Sequence, residues 1–432
     1  MHPESDNNHT VLPALRRSIE AFPIKHEGKD LYLLRDLEGL SDEPMAISTG
    51  ALLAASLMDG ERTISEVQTL FVKETGTFIQ ESDITKIVEQ LDKSSFLETP
   101  VVQEKRAKML NDFLQGTVRK AFHQGRGYPE NSLELATFLG SFFTDSKGPG
   151  KPLPSHPSNA SAPLGLIAPH IDFHRGGYAY AWAYQALADS PPPDLIVALG
   201  VAHMSPPSPW VMTLKDYETP YGPMKVDPEA YKEIRDCLWY DPLSDEAVHR
   251  GEHSLEFQAV WLRYIWREKT PPWIPILCSS FERFCPDKAP STVSTVESAL
   301  KKIGEKLAAR AKGGQKILIL AGVDLAHVGP RFGDQMELTP AVEKKIESED
   351  RMSLEKALRL EPDAFYLSVV ADDHWRHVCG LSALYTALRW IRAIGGENPE
   401  AGRLLTYGQT PDPMGGIVSF ASGIFPRGGV QP

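Results

Sequence analysis

The stretch "LGLIAPHIDFHRGG", Leu164 to Gly177, joins an apolar run to a cluster of polar side chains. The apolar run has the length and composition of a buried β-strand. His170, Asp172 and His174 follow at the point where this strand should end. The two glycines that close the stretch let a following helix, which we expect to begin near Gly177, approach the sheet closely. The stretch therefore predicts a strand whose end carries ligand-binding side chains.

The remainder of the chain repeats this pattern of strand and helix. The apolar runs "LIVALG", "WVMTL", "WIPILC" and "KILILAG" alternate with segments of helical periodicity, and "GGIVSFASGIF" near the C-terminus is typical of one more strand. Such alternation predicts an α/β domain in which a mostly parallel central sheet is flanked by helices. We place this domain at residues 118–427.

A smaller domain is predicted at residues 20–102. Helical periodicity indicates three short helices, and Ser65 and Ser82 are candidate N-caps of the second and third. Short extended runs lie beside them, so we expect a winged-helix-like α+β unit. Its helices "ISEVQTLFVKE" and "ESDITKIVEQ" are acidic, which favours a binding module over a DNA-reading domain.

Composition indicates a soluble, globular protein. The 432 residues are 42% hydrophobic and 24% charged, and the length favours two domains. The net charge of -12 argues against a nucleic-acid or anionic-membrane surface. The sequence contains neither an 18-residue apolar run nor a signal-peptide pattern, so we expect a cytoplasmic protein. Its four cysteines include no CxxC pair and are expected to be reduced thiols.

Histidines follow three of the predicted strands. His170 follows "LGLIAP", His203 follows "LIVALG" and His327 follows "KILILAG". The carboxyl ends of parallel strands share one edge of the sheet, where ligands bind in open α/β folds. Neutral imidazole is the commonest transition-metal ligand, so three histidines at equivalent places favour a metal site over unrelated surface residues.

Two further stretches contribute polar groups at helix starts. "HRGEHSLEFQAVWL" places Glu252, His253 and Glu256 there, with Ser254 as a candidate cap. Capping and the helix dipole alone could explain the glutamates but not the histidine. "HVCGLSAL" places Cys379 at the start of an apolar helix, where the helix N-terminus favours a thiolate. A buried, inert cysteine remains the alternative.

These motifs together carry a family resemblance. "APHIDFHRGGYAY", "LGVAHM", "GEHSLEFQ", "GVDLAHVG" and "HVCGLSAL" occur in the order seen in the Memo family, which the chain from about Phe122 to Phe425 resembles. With its N-terminal part, the chain is similar to the class called AmmeMemoRadiSam system protein B. The pattern "LMDGERTISEVQTLF" followed by "IVEQLDKSSFLE" resembles the PqqD-like peptide-recognition modules that accompany radical-SAM enzymes.

The resemblance implies a fold like that of class III extradiol dioxygenases and an iron or copper ion held by two histidines and a cysteine. The matching positions are His170, His203 and Cys379. A thiolate in place of the carboxylate of common non-haem iron sites favours copper(I) or a thiolate-tolerant iron site.

The function expected from these residues is that of a metal-dependent oxidoreductase that works with radical-SAM partners on a peptide or small aromatic substrate. The candidate catalytic residues are His253, Asp324 and His327. We expect the two histidines to handle protons and Asp324 to hold His327 in place, in a turn after the strand. Three more are candidates for the substrate pocket: Asp172, His174 and Glu256. A non-catalytic metal-binding scaffold is the alternative, and a metal-assisted hydrolase would leave the cysteine unexplained.

Overall fold

The structure is a computed structural model that describes residues 10–41, 43–154, 161–396, 399–412 and 414–428. The chain divides into two compact units, Met1–Gln115 and Gly116–Pro432. The predicted domains of residues 20–102 and 118–427 fall on either side of this division. Among the described residues, no helix is both long and apolar enough to cross a membrane.

The N-terminal unit combines a three-stranded antiparallel sheet with four helices. The sheet has the order β1-β2-β3. The elements are β1 (Ile19–His26), β2 (Lys29–Asp36), β3 (Met45–Ser48), α1 (Thr49–Ser56), α2 (Ile64–Thr75), α3 (Glu81–Lys93) and α4 (Pro100–Gln115). Its core takes in residues as early as Leu12, so the unit begins before the predicted residue 20.

Both N-caps predicted in this unit are wrong. Thr63 caps α2 and forms a reciprocal capping box with Glu66, so Ser65 lies inside the helix. In α3 the cap position is Gln80, whose side chain makes no capping hydrogen bond, and Ser82 again lies inside the helix. The N-cap of each helix lies two residues before the predicted one.

The C-terminal unit contains ten strands and eight helices in its described residues. The strands are β4 (Val118–Arg119), β5 (Gly165–Ala168), β6 (Leu195–Val201), β7 (Trp210–Met212), β8 (Asp216–Tyr217), β9 (Trp273–Cys278), β10 (Ile317–Gly322), β11 (Asp324–Val328), β12 (Arg403–Asp412) and β13 (Gly416–Phe425). The helices are α5 (Ser132–Thr144), α6 (Phe173–Ala188), α7 (Pro228–Arg235), α8 (His253–Trp266), α9 (Ser294–Lys312), α10 (Pro340–Leu358), α11 (Pro362–Val370) and α12 (Leu381–Gly395).

The central sheet confirms the predicted α/β class. Its order is β11-β13-β5-β10-β6-β9-β7, and β12 pairs with β13. The four middle strands, β5, β10, β6 and β9, are parallel. The strands at both sides pair antiparallel. A parallel core must be covered on both faces, which explains why its strands read as continuous apolar runs.

Alternate residues of the parallel strands supply two separate cores. Ile317 and Ile319 of β10 pack with residues of α9 and α12 on one face. Leu318 and Leu320 pack with residues of α6 and α8 on the other. Successive side chains of a strand point to opposite faces, so one apolar run serves both layers.

The helix after β5 begins earlier than predicted. It starts at Phe173 rather than near Gly177, because the side chain of Asp172 caps it by accepting from the amide of Arg175. Both glycines therefore lie inside α6. A Cβ at Gly177 would lie 2.4 Å from the ring of Phe142 in α5, so the glycine does permit a close helix approach.

Candidate metal centre

His170 forms the buried floor of the candidate site. It follows β5 with 2% of its surface exposed, and its amide donates to Oδ1 of Asp324 at 2.9 Å. Its Nδ1 lies 3.0 Å from the carbonyl oxygen of Gly322, at the end of β10. A carbonyl oxygen can only accept, so Nδ1 carries the proton and Nε2 keeps its lone pair. That lone pair is available to a metal ion.

Glu252 fixes His203 in the same tautomer. Nδ1 of His203, just after β6, lies 3.0 Å from both carboxylate oxygens of Glu252. The carboxylate also accepts from the His203 amide at 3.1 Å and from the Ser254 amide at 2.9 Å, where it caps α8. Burial would raise the pKa of Glu252, but His203 and His253 hold it well below its usual range. An ionised carboxylate on Nδ1 is the usual support of a metal-binding histidine.

His253 lies beside these two histidines at the first position of α8. Its Nδ1 is 3.3 Å from Oε1 of Glu252. Its ring stacks on His203, with centroids 4.9 Å apart and an interplanar angle of 15°, and stands edge-on to His170 at 5.3 Å. One ligand atom from each of His170, His203 and His253 lies within 4.8 Å of the others, and this imidazole group has the arrangement of a metal site.

Cys379 approaches the imidazole group from the start of α12. Its Sγ lies 3.4 Å from Nε2 of His170. Burial raises the pKa of this thiol, but the neighbouring His170 and His327 outweigh burial and hold the pKa well below its usual value. This direction favours the thiolate, the form that binds metals.

Asp324 and His327 belong to a strand, not to the predicted turn. In a regular strand, positions three apart face opposite sides, but the register of β11 against β13 shifts between these two residues. Asp324 contacts His170, its Oδ2 lying 3.7 Å from Nε2. Nδ1 of His327 lies 3.1 Å from the Leu325 carbonyl oxygen. Burial lowers the pKa of His327, but Cys379 outweighs burial, so the pKa lies above its usual value.

The three residues predicted to line a substrate pocket lie outside the imidazole group. Asp172 caps α6 and pairs with Arg175. His174 is exposed, and its ring packs 5.0 Å from that of Phe138. Glu256 has no exposed surface, and its carboxylate accepts from the Tyr128 hydroxyl at 2.6 Å. No ligand in solvent could reach Glu256 in this arrangement.

The structure adds supporting residues that sequence reasoning missed. Arg119 is fully buried, pairs with Glu256 and donates to the backbone carbonyl of Glu252 at 2.9 Å. It therefore holds the start of α8, which carries both Glu252 and His253. Gln258 donates to the carbonyl of Pro169 at 2.8 Å, next to His170. Gln258 belongs to the stretch that carries Glu252 and His253, whereas nothing in the sequence around Arg119 marked it.

Comparisons with known proteins identify similar chains. A family model described as "Memo-like protein" matches residues 119–424. A MEMO1 family protein of Aquifex aeolicus is 27% identical over 413 residues, which cover 95% of this chain and 100% of that protein. Relatives from Thermus thermophilus and Ignicoccus hospitalis, also named MEMO1 family proteins, are 29% identical over 307 residues and 28% identical over 312. These two matches cover 71% and 72% of this chain, and 83% and 99% of the relatives. The Aquifex match is longer than the C-terminal unit, so it extends into the N-terminal unit as well.

Proposed function

Because the chain belongs to the Memo family, we propose that it is a metal-dependent redox protein that acts as an oxidoreductase at an iron or copper ion. The observation that carries this proposal is the meeting of His170 and His203, which follow the parallel strands β5 and β6 on either side of β10, with Cys379 at the start of α12.

The donor atoms fit such an ion. The Nδ1 atoms of His170 and His203 are held by a carbonyl and a carboxylate, which leaves both Nε2 atoms for the metal. The separation of 3.4 Å between Nε2 of His170 and Sγ of Cys379 is close to the roughly 3.6 Å between nitrogen and sulfur ligands of one tetrahedral ion at zinc-like bond lengths. Imidazole and thiolate select copper or iron over calcium or magnesium.

The protein side chains would position the reactants and supply a proton. Iron or copper in this site supplies one-electron chemistry and open positions for a small molecule. The Nδ1 of His327 faces a backbone carbonyl, and in the metal-free protein Cys379 raises the pKa of this ring, which favours its protonated form. His327 is therefore the proposed general acid, while Asp324 orients His170.

An aromatic ring beside the site supports a small aromatic or peptide substrate. The ring of Phe332, which is partly exposed, lies 5.1 Å from that of His327. Offset and edge-on contacts with such a ring favour a planar apolar group. The substrate would bind with its ring against this side chain.

The N-terminal unit supports a partner role in the same proposal. Its resemblance to PqqD-like modules suggests that it presents a peptide to a radical-SAM enzyme in the cytoplasm. The strands β1 and β3 are the outer strands of its sheet, so each has one side on which an extended peptide could pair.

Metal content and oxygen uptake test the proposal together. Protein purified with and without air is analysed for iron and copper, and oxygen consumption is measured with candidate aromatic and peptide substrates. We expect about one ion per chain, lost in His170→Asn and kept in the control His174→Asn, at an exposed histidine outside the imidazole group. Bound metal without substrate-dependent uptake would contradict the oxidoreductase and favour a metal-binding scaffold. Absence of metal from every preparation would contradict the whole proposal.

A further inference from the structure

We infer that His253 is a fourth protein ligand of the metal, beside His170, His203 and Cys379, and that the carboxylate of Glu252, which positions His203, lies against both rings. The inference rests on the proposed metal centre and specifies its coordination. It assigns to His253 a role different from the proton handling that the sequence indicates.

The position of His253 within the imidazole group is the first support. Its ligand nitrogen lies within 4.8 Å of those of His170 and His203. Two imidazole nitrogens on one tetrahedral ion are about 3.3 Å apart at zinc-like bond lengths. The three nitrogens therefore lie near the separation that one ion requires.

The shared carboxylate is the second support. Glu252 is buried and lies 3.0 Å from Nδ1 of His203 and 3.3 Å from Nδ1 of His253. The contact with His203 is a hydrogen bond, whereas the contact with His253 is electrostatic. The two rings are nearly parallel, at 15°. One buried negative charge therefore lies against two of the inferred ligands.

The surroundings of His253 limit its movement. Its ring lies 5.8 Å from that of His123 and 5.4 Å from that of Phe257, in addition to its contacts with His203 and His170. Its backbone is the first residue of a helix whose N-cap is Glu252 itself. A ring held on several sides at a fixed place suits a ligand, which must keep its geometry, better than a mobile proton carrier.

Four protein ligands would give the centre a tetrahedral set of three imidazoles and one thiolate. Such a set binds a transition metal more tightly than three ligands do, and a substrate or small molecule must bind as a fifth ligand or displace a side chain. This coordination distinguishes the inference from a site of two histidines and one cysteine.

Cobalt(II) titration of the full-length protein without air tests this coordination. Tetrahedral cobalt(II) absorbs strongly in the visible range, and thiolate ligation adds a near-ultraviolet band. For the wild type we expect one cobalt(II) with both features. His253→Asn should bind at least tenfold more weakly and lose most of its visible absorption while it keeps the thiolate band. Glu252→Gln should weaken binding by roughly 10- to 100-fold, and His174→Asn, at an exposed imidazole outside the group, should change neither feature.

The outcomes separate this inference from the metal centre itself. Wild-type affinity and visible absorption in His253→Asn, together with loss of binding in His170→Asn, would overturn the inference and leave the centre intact. No cobalt binding in the wild type, or a thiolate band that survives Cys379→Ser, would contradict the centre. Circular dichroism establishes that each variant is folded, and His253→Gln serves for the same comparison if the asparagine variant is not.

Discussion

The protonation of His170 sets how strongly the site binds metal. Burial lowers the pKa of this imidazole, but Asp324 and Cys379 raise it to about 9 in the metal-free protein. A metal binds the neutral ring, so below pH 9 it must displace one proton. The pKa of His203 is raised as well, because Glu252 outweighs the effect of burial, so metal affinity should rise by at least about tenfold per pH unit from pH 6 to about 9. Competition titrations across this range measure the slope, and an affinity independent of pH would contradict the assigned proton.

Cys379 provides the second test at the level of one residue. Serine has nearly the shape of cysteine, so Cys379→Ser should change the free energy of unfolding little. It should lower copper(I) affinity by at least about tenfold, equivalent to about 1.4 kcal/mol, because the soft ligand is lost. Copper titration and denaturant unfolding give the two values. Cys237→Ser, at a buried cysteine in another part of the core, is the control that should keep copper affinity.

The sequence was informative about residues whose role depends on the end of an element. His170 and His203 could be found because apolar runs precede them directly. The role of Glu252 could not be found, since its hydrogen bond to His203 depends on the fold bringing β6 beside α8. Thr63 was passed over for Ser65 because both can cap a helix and only the backbone geometry chooses between them.

Among the elements, α12 decides where the thiolate lies. A Cβ at Gly380 would lie 2.5 Å from Cβ of Val323 and 2.6 Å from the carbonyl oxygen of Asp324. Contacts this short would force the start of α12 away from the sheet, and Cys379 with it. The glycine thus permits the approach of the sulfur to His170.

Gly380→Ala should therefore lower metal affinity by about tenfold or more, a loss of about 1.4 kcal/mol, in a protein that remains folded. Gly304→Ala in α9 is the control, because its Cβ would lie 3.0 Å from Cβ of Ala393, near the C-terminal end of α12. The control should lower the melting temperature without changing metal affinity. Equal metal affinity in the two variants would contradict the role of Gly380.

Elements fixed by distant pairing were the ones that the sequence misplaced. β11 was expected to be a turn, and it is a strand because it pairs with β13, about 90 residues further along the chain. The start of α6 was placed too late because two glycines weaken a helix locally. In the structure the Asp172 cap and packing against α5 outweigh that cost.

At the scale of the whole molecule, the two units invite separate study. The helix α4 belongs to the N-terminal unit: Arg106 pairs with Glu98 at 2.8 Å and with Glu38 at 3.1 Å, and Val102 is buried. The apolar periodicity indicated a domain end near residue 102, because α4 is attached mainly by charged contacts that periodicity does not register.

A fragment of residues 10–115 should therefore unfold cooperatively on its own. A fragment that ends at Pro100 loses Arg106 and Val102 and should have a lower unfolding midpoint, since both carboxylates are left without that partner. Urea unfolding followed by circular dichroism compares them. If the two fragments have the same midpoint, α4 does not stabilise the unit.

The general architecture was accessible from the sequence because strand and helix periods alternate so regularly after Leu164. What remains is the metal centre, on which the proposed function depends. X-ray absorption of the protein loaded without air with one equivalent of iron(II) or copper(I) tests it most directly. We predict imidazole nitrogens and one sulfur at roughly 2.3 Å, with the sulfur lost in Cys379→Ser. A first shell of oxygen atoms, with neither imidazole nor sulfur scattering, would contradict the metal centre proposed here.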